Sequence, residues 1–195
     1  MEKRYDMEAY SEHLENELIR ICGGSGTSAV TSAPAAENGT APAMLLSSPD
    51  IDAHWQKLGG GYIADAMEQI RDYPAVSVAW AAYLGMAVAY GWDRDWPFCE
   101  ALPYQSYYGG NGFDDMDDHI MQDILGISPD SAESDSIRNL FRRCADACIS
   151  LIRHENIEPQ SIAAYHIFVA TCQEMYRIGA ALELHRLGYK FEKLG

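Results

Sequence analysis

The chain has 195 residues and is nearly half apolar, with 29 acidic side chains against 14 lysines and arginines, a formal charge of −15. One domain with a sizeable core fits that length and composition. Nucleic acid and anionic membranes are excluded as partners, because both need a basic face, whereas basic proteins and divalent cations remain compatible.

The five cysteines form no Cys-x-x-Cys pair. Cys144 and Cys148 lie four apart on one side of a predicted helix, where the separation does not suit a disulfide. The expectation is buried free thiols in a reducing compartment. Residues 1–8 are charged and carry no apolar signal core, which predicts a cytoplasmic protein.

Met7, Tyr10, Leu14, Leu18 and Ile21 recur at three- and four-residue steps and predict an amphipathic helix over 1–22, stopped by Gly23-Gly24. Residues 23–48 are mostly Gly, Ser, Thr, Ala and Pro with one charge, Glu37, and predict a flexible linker. An all-α domain is then expected over 49–195. Ser48-Pro49-Asp50 opens it as a helix start. Ile51, Trp55, Leu58, Tyr62, Ala66 and Ile70 continue in phase through Gly59-Gly60-Gly61. Three glycines cost roughly 3 kcal/mol of helix propensity, so the helix either breaks there or is held by a neighbouring element.

Tyr73 to Trp92 is 20 residues without a charge, long enough for a membrane span. Six alanines, acidic flanks and Pro74 near its start instead predict a buried central helix over 74–91. Ala81, Gly85 and Ala89 give it a smooth ridge for close packing. Residues 92–112 carry two prolines and three glycines and predict an irregular loop. A short helix follows over 114–125, with Phe113, Met116, Ile120 and Ile124 as its apolar stripe and Gly126 as its stop. Ser131 or Ser134 opens the next helix, along Ile137, Leu140, Cys144, Ala147 and Leu151. Glu158-Pro159 is expected to start a last helix running to about Leu187. No strand and no internal repeat is predicted, so the fold class is all-α: a helical bundle of five or six helices with a tethered N-terminal helix.

Function is concentrated in 93–135, which holds eleven acidic residues against one basic residue, Arg94. Trp92, Asp93, Arg94, Trp96, Tyr104, Tyr107 and Tyr108 combine aromatic rings with one arginine, the composition of a partner- or ligand-binding surface. Further along, Asp115, His119 and Asp123 share one edge of the predicted short helix and could ligate a divalent metal. First-turn aspartates also stabilise a helix with no metal at all. Asp65 and Glu68 offer a second carboxylate pair on another helix.

The leading expectation is a non-enzymatic protein that works by association, as a homo-oligomer or with a basic protein, through residues 92–119 and with no cofactor. A first alternative is a metal-dependent, phosphohydrolase-like enzyme using Asp115, His119 and Asp123 with a divalent metal. A second is a small-ligand-binding domain with the aromatic loop as pocket wall.

Overall fold

The computed structural model describes residues 6–24, 44–155 and 157–190. The fold is all-α, with six helical segments among these residues: α1 (Met7–Gly24), α2 (Pro49–Gln69), α3 (Pro74–Ala101), α4 (Met116–Asp118), α5 (Ala132–His154) and α6 (Ile162–Arg186). Tyr104–Tyr107 and Phe113–Asp115 form 3-10 turns, and α4 passes into a π-helical turn over His119–Ile124.

The central helix pair is α3 with α6, the most extensive contact in the molecule. Two glycines set how closely the pair approaches. A Cβ on Gly85 would collide with the Tyr176 carbonyl, and one on Gly179 with the Ala82 carbonyl. Backbone therefore meets backbone at two neighbouring points of the α3–α6 contact. That is the close approach the small-residue ridge predicts. By length and apolarity α3 could cross a membrane, but 61% of its most apolar window is buried within this fold.

An aromatic chain fastens α2 to this pair. Trp55 packs on Tyr176 and Tyr62, Tyr62 on Phe113, and Phe113 on Trp80, with ring centroids 4.9–6.0 Å apart. The buried hydroxyls within it are satisfied: Tyr62 donates to the Ser77 carbonyl at 2.6 Å and Tyr176 to that of Ile51 at 2.8 Å. The three glycines do not break α2. The ring of Trp55 covers Gly59 and that of Tyr104 covers Gly61, and a side chain on either would displace its ring. The propensity cost is offset by aromatic packing, so the helix is held by its neighbours.

Helix α1 packs on α5 and α6, burying Tyr10, Leu14, Leu18 and Cys22. The Tyr10 hydroxyl bonds Thr171 Oγ1 at 2.8 Å, and Arg177 of α6 reaches Glu15 at 3.1 Å. The predicted linker falls mostly on residues 25–43, which lie outside the described residues. Its last part differs from expectation, because Leu45 and Leu46 are buried in the core. Gly23 and Gly24 are helical rather than outside α1.

Three further boundaries are corrected. Residues 92–101 are not loop: α3 continues through Gly91 and reaches Ala101 across a kink at Asp95 (φ −157°, ψ 81°). The expected helix over 114–125 is helical as far as Ile124 but changes type twice, from 3-10 to α to π. Finally, α6 starts at Ile162 rather than at Pro159. Gln160 has φ +66°, which no helix accepts, and Ser161 Oγ then caps the Ala164 N–H at 3.1 Å. In the preceding helix Ser131 is the cap, accepting from the Ser134 N–H at 3.1 Å.

Candidate ligand pocket

The kink in α3 creates a largely apolar concavity. Asp95 leaves helical geometry, and its Oδ1 accepts the Phe98 N–H at 3.2 Å. Asp95 is thus the N-cap of a second helical arm, with Pro97 in that arm's first turn, where a missing N–H costs nothing. Gly91 lets the arm fold back on the first one, since a Cβ there would strike the Cys99 sulfur.

Between the arms lies a cavity of about 410 Å³. Ala87, Tyr90 and Arg94 line it from the first arm, Phe98, Cys99 and Leu102 from the second. Tyr107 closes it from the following 3-10 turn, and His119 and Ile124 from the π-helical turn. The Arg94 guanidinium lies over the Tyr90 ring at 4.4 Å from its centroid. This cation–π contact holds the charge flat at the wall. Cys99 Sγ contacts the Tyr107 hydroxyl at 3.6 Å. Burial pushes both groups up, so the pocket presents a thiol and a phenol rather than anions.

The predicted binding residues are distributed over four places. Arg94 and Tyr107 line the kink pocket. Trp92 and Asp93 face the chain end: Trp92 Nε1 donates to Asp50 at 3.3 Å, and Tyr189 packs on Trp92 and donates to Asp93 at 2.8 Å. Trp96 lies edge-on to the buried His54, ring centroids 5.1 Å apart. They line a second cavity, of about 520 Å³, whose rim of Asp50, Gln56, Lys57 and Glu100 is polar and of mixed charge. Tyr104 and Tyr108 both donate to Asp65 Oδ2, the former at 3.0 Å. Tyr108 is pushed up to about 12, by burial first and by Asp65 next.

The candidate metal edge is assembled but occupied internally. Asp115, His119 and Asp123 line one shallow recess of about 260 Å³. Asp115 Oδ2 accepts both the backbone and side-chain N–H groups of Asn111, at 2.9 and 2.6 Å. His119 Nδ1 is 2.8 Å from Asp123 Oδ2, and the Asp123 side chain is 69% exposed. Asp118 pairs with Arg138 at 2.9 Å. Asp65, the proposed second-helix carboxylate, is held by its two tyrosines. Among the described residues no group of three His, Cys, Asp or Glu is arranged to hold a metal ion. The trio does not face inward as the α-helical spacing predicts. The aspartates are used to close the Asn111 turn and to pair with His119.

The sequence reading missed the pocket because it took 92–112 for loop. Phe98, Cys99 and Leu102 were consequently never placed on a face. A signal for them exists: in Asp95-Trp96-Pro97-Phe98 a capping aspartate stands two residues before a first-turn proline, the pattern of a helix start. Comparison with protein-family models, with curated proteins and with solved structures found no match to this chain.

Proposed function

We propose that the protein is a small helical binding module whose kink pocket takes a small, largely apolar ligand. The observation that supports this reading is the pocket's construction. It is a concave site of about 410 Å³, walled mainly by aliphatic and aromatic side chains, with Arg94, Asp95, Ser106 and His119 among its few polar groups. Small-molecule sites have that size and that ratio of apolar wall to oriented polar group. Its walls also come from four successive segments, so it is a product of the fold rather than of one loop.

The test is binding of a neutral apolar dye, Nile red, followed by fluorescence. Leu102→Trp fills the pocket from the second arm and should abolish the saturable dye signal while leaving the far-ultraviolet circular dichroism unchanged. Equal dye binding by wild type and variant would remove the pocket from the reading.

One observation favours association as a second reading. The Phe98 ring, on the pocket wall, is 63% exposed, and an exposed aromatic ring beside a concavity is what a second copy would cover. Sedimentation of wild type and Phe98→Asp decides it. A dimer that becomes a monomer assigns this surface to self-association, and a wild-type monomer assigns it to the small ligand.

A further inference from the structure

Arg94 is the one basic residue of the acidic stretch 93–135, and an aspartate stands on either side of it. Neither aspartate takes its charge. Asp93 accepts the Tyr189 hydroxyl at 2.8 Å, and Asp95 accepts the Phe98 N–H at 3.2 Å. Arg20, Arg71, Arg138, Arg177 and Arg186 all pair with carboxylates. Among the described residues Arg94 pairs with none, although it lines the kink pocket with its guanidinium over the Tyr90 ring. A guanidinium stacked by its face keeps the N–H groups along its edges, and that fork matches a planar carboxylate.

The pocket around it is graded from dry to wet. Ala87, Cys99 and Tyr107 are buried, whereas Arg94, Asp95 and Phe98 are exposed. The floor carries no charge, because burial keeps the Cys99 thiol and the Tyr107 phenol protonated. The guanidinium therefore stands at the rim of an apolar concavity rather than on an open surface, and a charged hydrogen bond beside excluded water is strengthened there.

Given the reading of the kink pocket as a ligand site, on which this rests, we propose that its ligand is an apolar monocarboxylic acid, with the hydrocarbon part between the two arms of α3 and the carboxylate on Arg94. A neutral apolar molecule fills the floor but leaves the guanidinium with water alone. A phosphate ester brings nearly two charges and three acceptor oxygens, which one guanidinium next to Asp95 does not balance. A carboxylate brings one charge in the geometry of the fork. Ser106 adds a half-buried hydroxyl to the lining, able to donate to the same headgroup. His119 is already engaged through Nδ1 with Asp123 at 2.8 Å and leaves Arg94 as the principal anchor. Asp95 is the one carboxylate on the lining, so the rival ligand is an apolar amine.

Three probes with one alkyl chain separate these headgroups: octanoate, octanol and octylamine. Each is titrated into the full-length protein by calorimetry at neutral pH and low ionic strength. Octanoate should bind saturably and about tenfold more tightly than octanol, the worth of one charge-assisted hydrogen bond, and octylamine should bind least. Added salt should shrink the preference for octanoate. Arg94→Gln should erase that preference, and Arg94→Lys should restore part of it. Leu102→Trp should remove binding of octanoate and octanol alike.

Octanol binding as tightly as octanoate, octylamine binding tightest, or a preference for octanoate that survives Arg94→Gln would each overturn the carboxylic acid while leaving the apolar pocket in place. Wild-type protein that binds none of the three, or binding untouched by Leu102→Trp, would instead remove the pocket reading itself. If Arg94→Gln fails to fold, the wild-type order of the three headgroups and its salt dependence decide.

Discussion

Gly85 and Glu174 show how single residues set the tolerance of the helix core. At Gly85 the neighbour is the Tyr176 carbonyl, so no side-chain rotation can relieve an added methyl group. Overpacking of a core typically costs about 1–3 kcal/mol, and rigid backbone places this site at the upper end. Gly85→Ala should lower the Tm by several degrees, read by circular dichroism. An unchanged Tm would mean that α3 and α6 do not cross there. Glu174 is buried against Arg177, with Glu15 and Asp52 nearby. Burial outweighs the Arg177 charge and pushes its carboxyl up to about 7 from an ordinary 4.5. The folded state therefore holds this proton more tightly than the unfolded chain does. That contribution is complete below pH 4.5 and is lost as pH rises to about 7. Relative to Glu174→Gln, wild type should lose stability across that window and run parallel to it above. Denaturant melts of both proteins at four pH values measure the difference, and parallel curves throughout would place Glu174 in water.

At the scale of elements, periodicity was informative wherever one face of a helix is buried for its whole length. The stripes of α1, α2 and α5 are such cases: Leu14 and Leu18, Ile51 and Leu58, Ile137 and Leu140 are all buried as their spacing predicts. The spacing fails where tertiary contacts override local preference. Gly91 and Pro97 read as helix breakers, yet α3 runs past both, because Cys99 needs the space beside Gly91 and Asp95 restarts the helix ahead of the proline. The candidate pocket depends on that restart, which is why its walls were illegible while Arg94 and Tyr107 were picked out by composition alone. The acidic edge failed for a different reason. A π-helical turn carries six residues, His119–Ile124, where α-helical spacing was assumed. Asp95→Ala tests the kink as an element. Removing an N-cap of this type costs about 0.5–2 kcal/mol, and the arm that frays carries Phe98, Cys99 and Leu102. The expected result is a modest fall in Tm together with weaker Nile red binding. Undiminished dye affinity would separate the pocket from the cap.

The whole molecule depends on whether α1 is an appendage or part of the core. Its position before residues 25–43 suggests the former by sequence alone. Its burial argues the latter: Leu14, Leu18 and Cys22 are fully covered by α5 and α6. Burying a leucine contributes roughly 1.5–3 kcal/mol. Leu14 and Leu18 together therefore account for an appreciable share of a typical domain stability of about 5–15 kcal/mol. The polar contacts at the same junction act in the same direction, since Tyr10 satisfies Thr171 and Glu15 satisfies Arg177, neither of which would find that partner in a detached body. Leu18→Ala should then cost about 2–5 kcal/mol, the usual range for emptying a buried leucine site, with the whole chain melting earlier in one transition. Glu12→Ala, on the exposed face of the same helix, should change stability by less than about 0.5 kcal/mol, as surface substitutions usually do. Urea melts followed by circular dichroism and by tryptophan fluorescence provide the comparison, because α1 contains no tryptophan while the body contains four. Coincident transitions in both signals mean that α1 folds with the body. A Leu18→Ala protein whose fluorescence transition is unmoved would make α1 an independent arm.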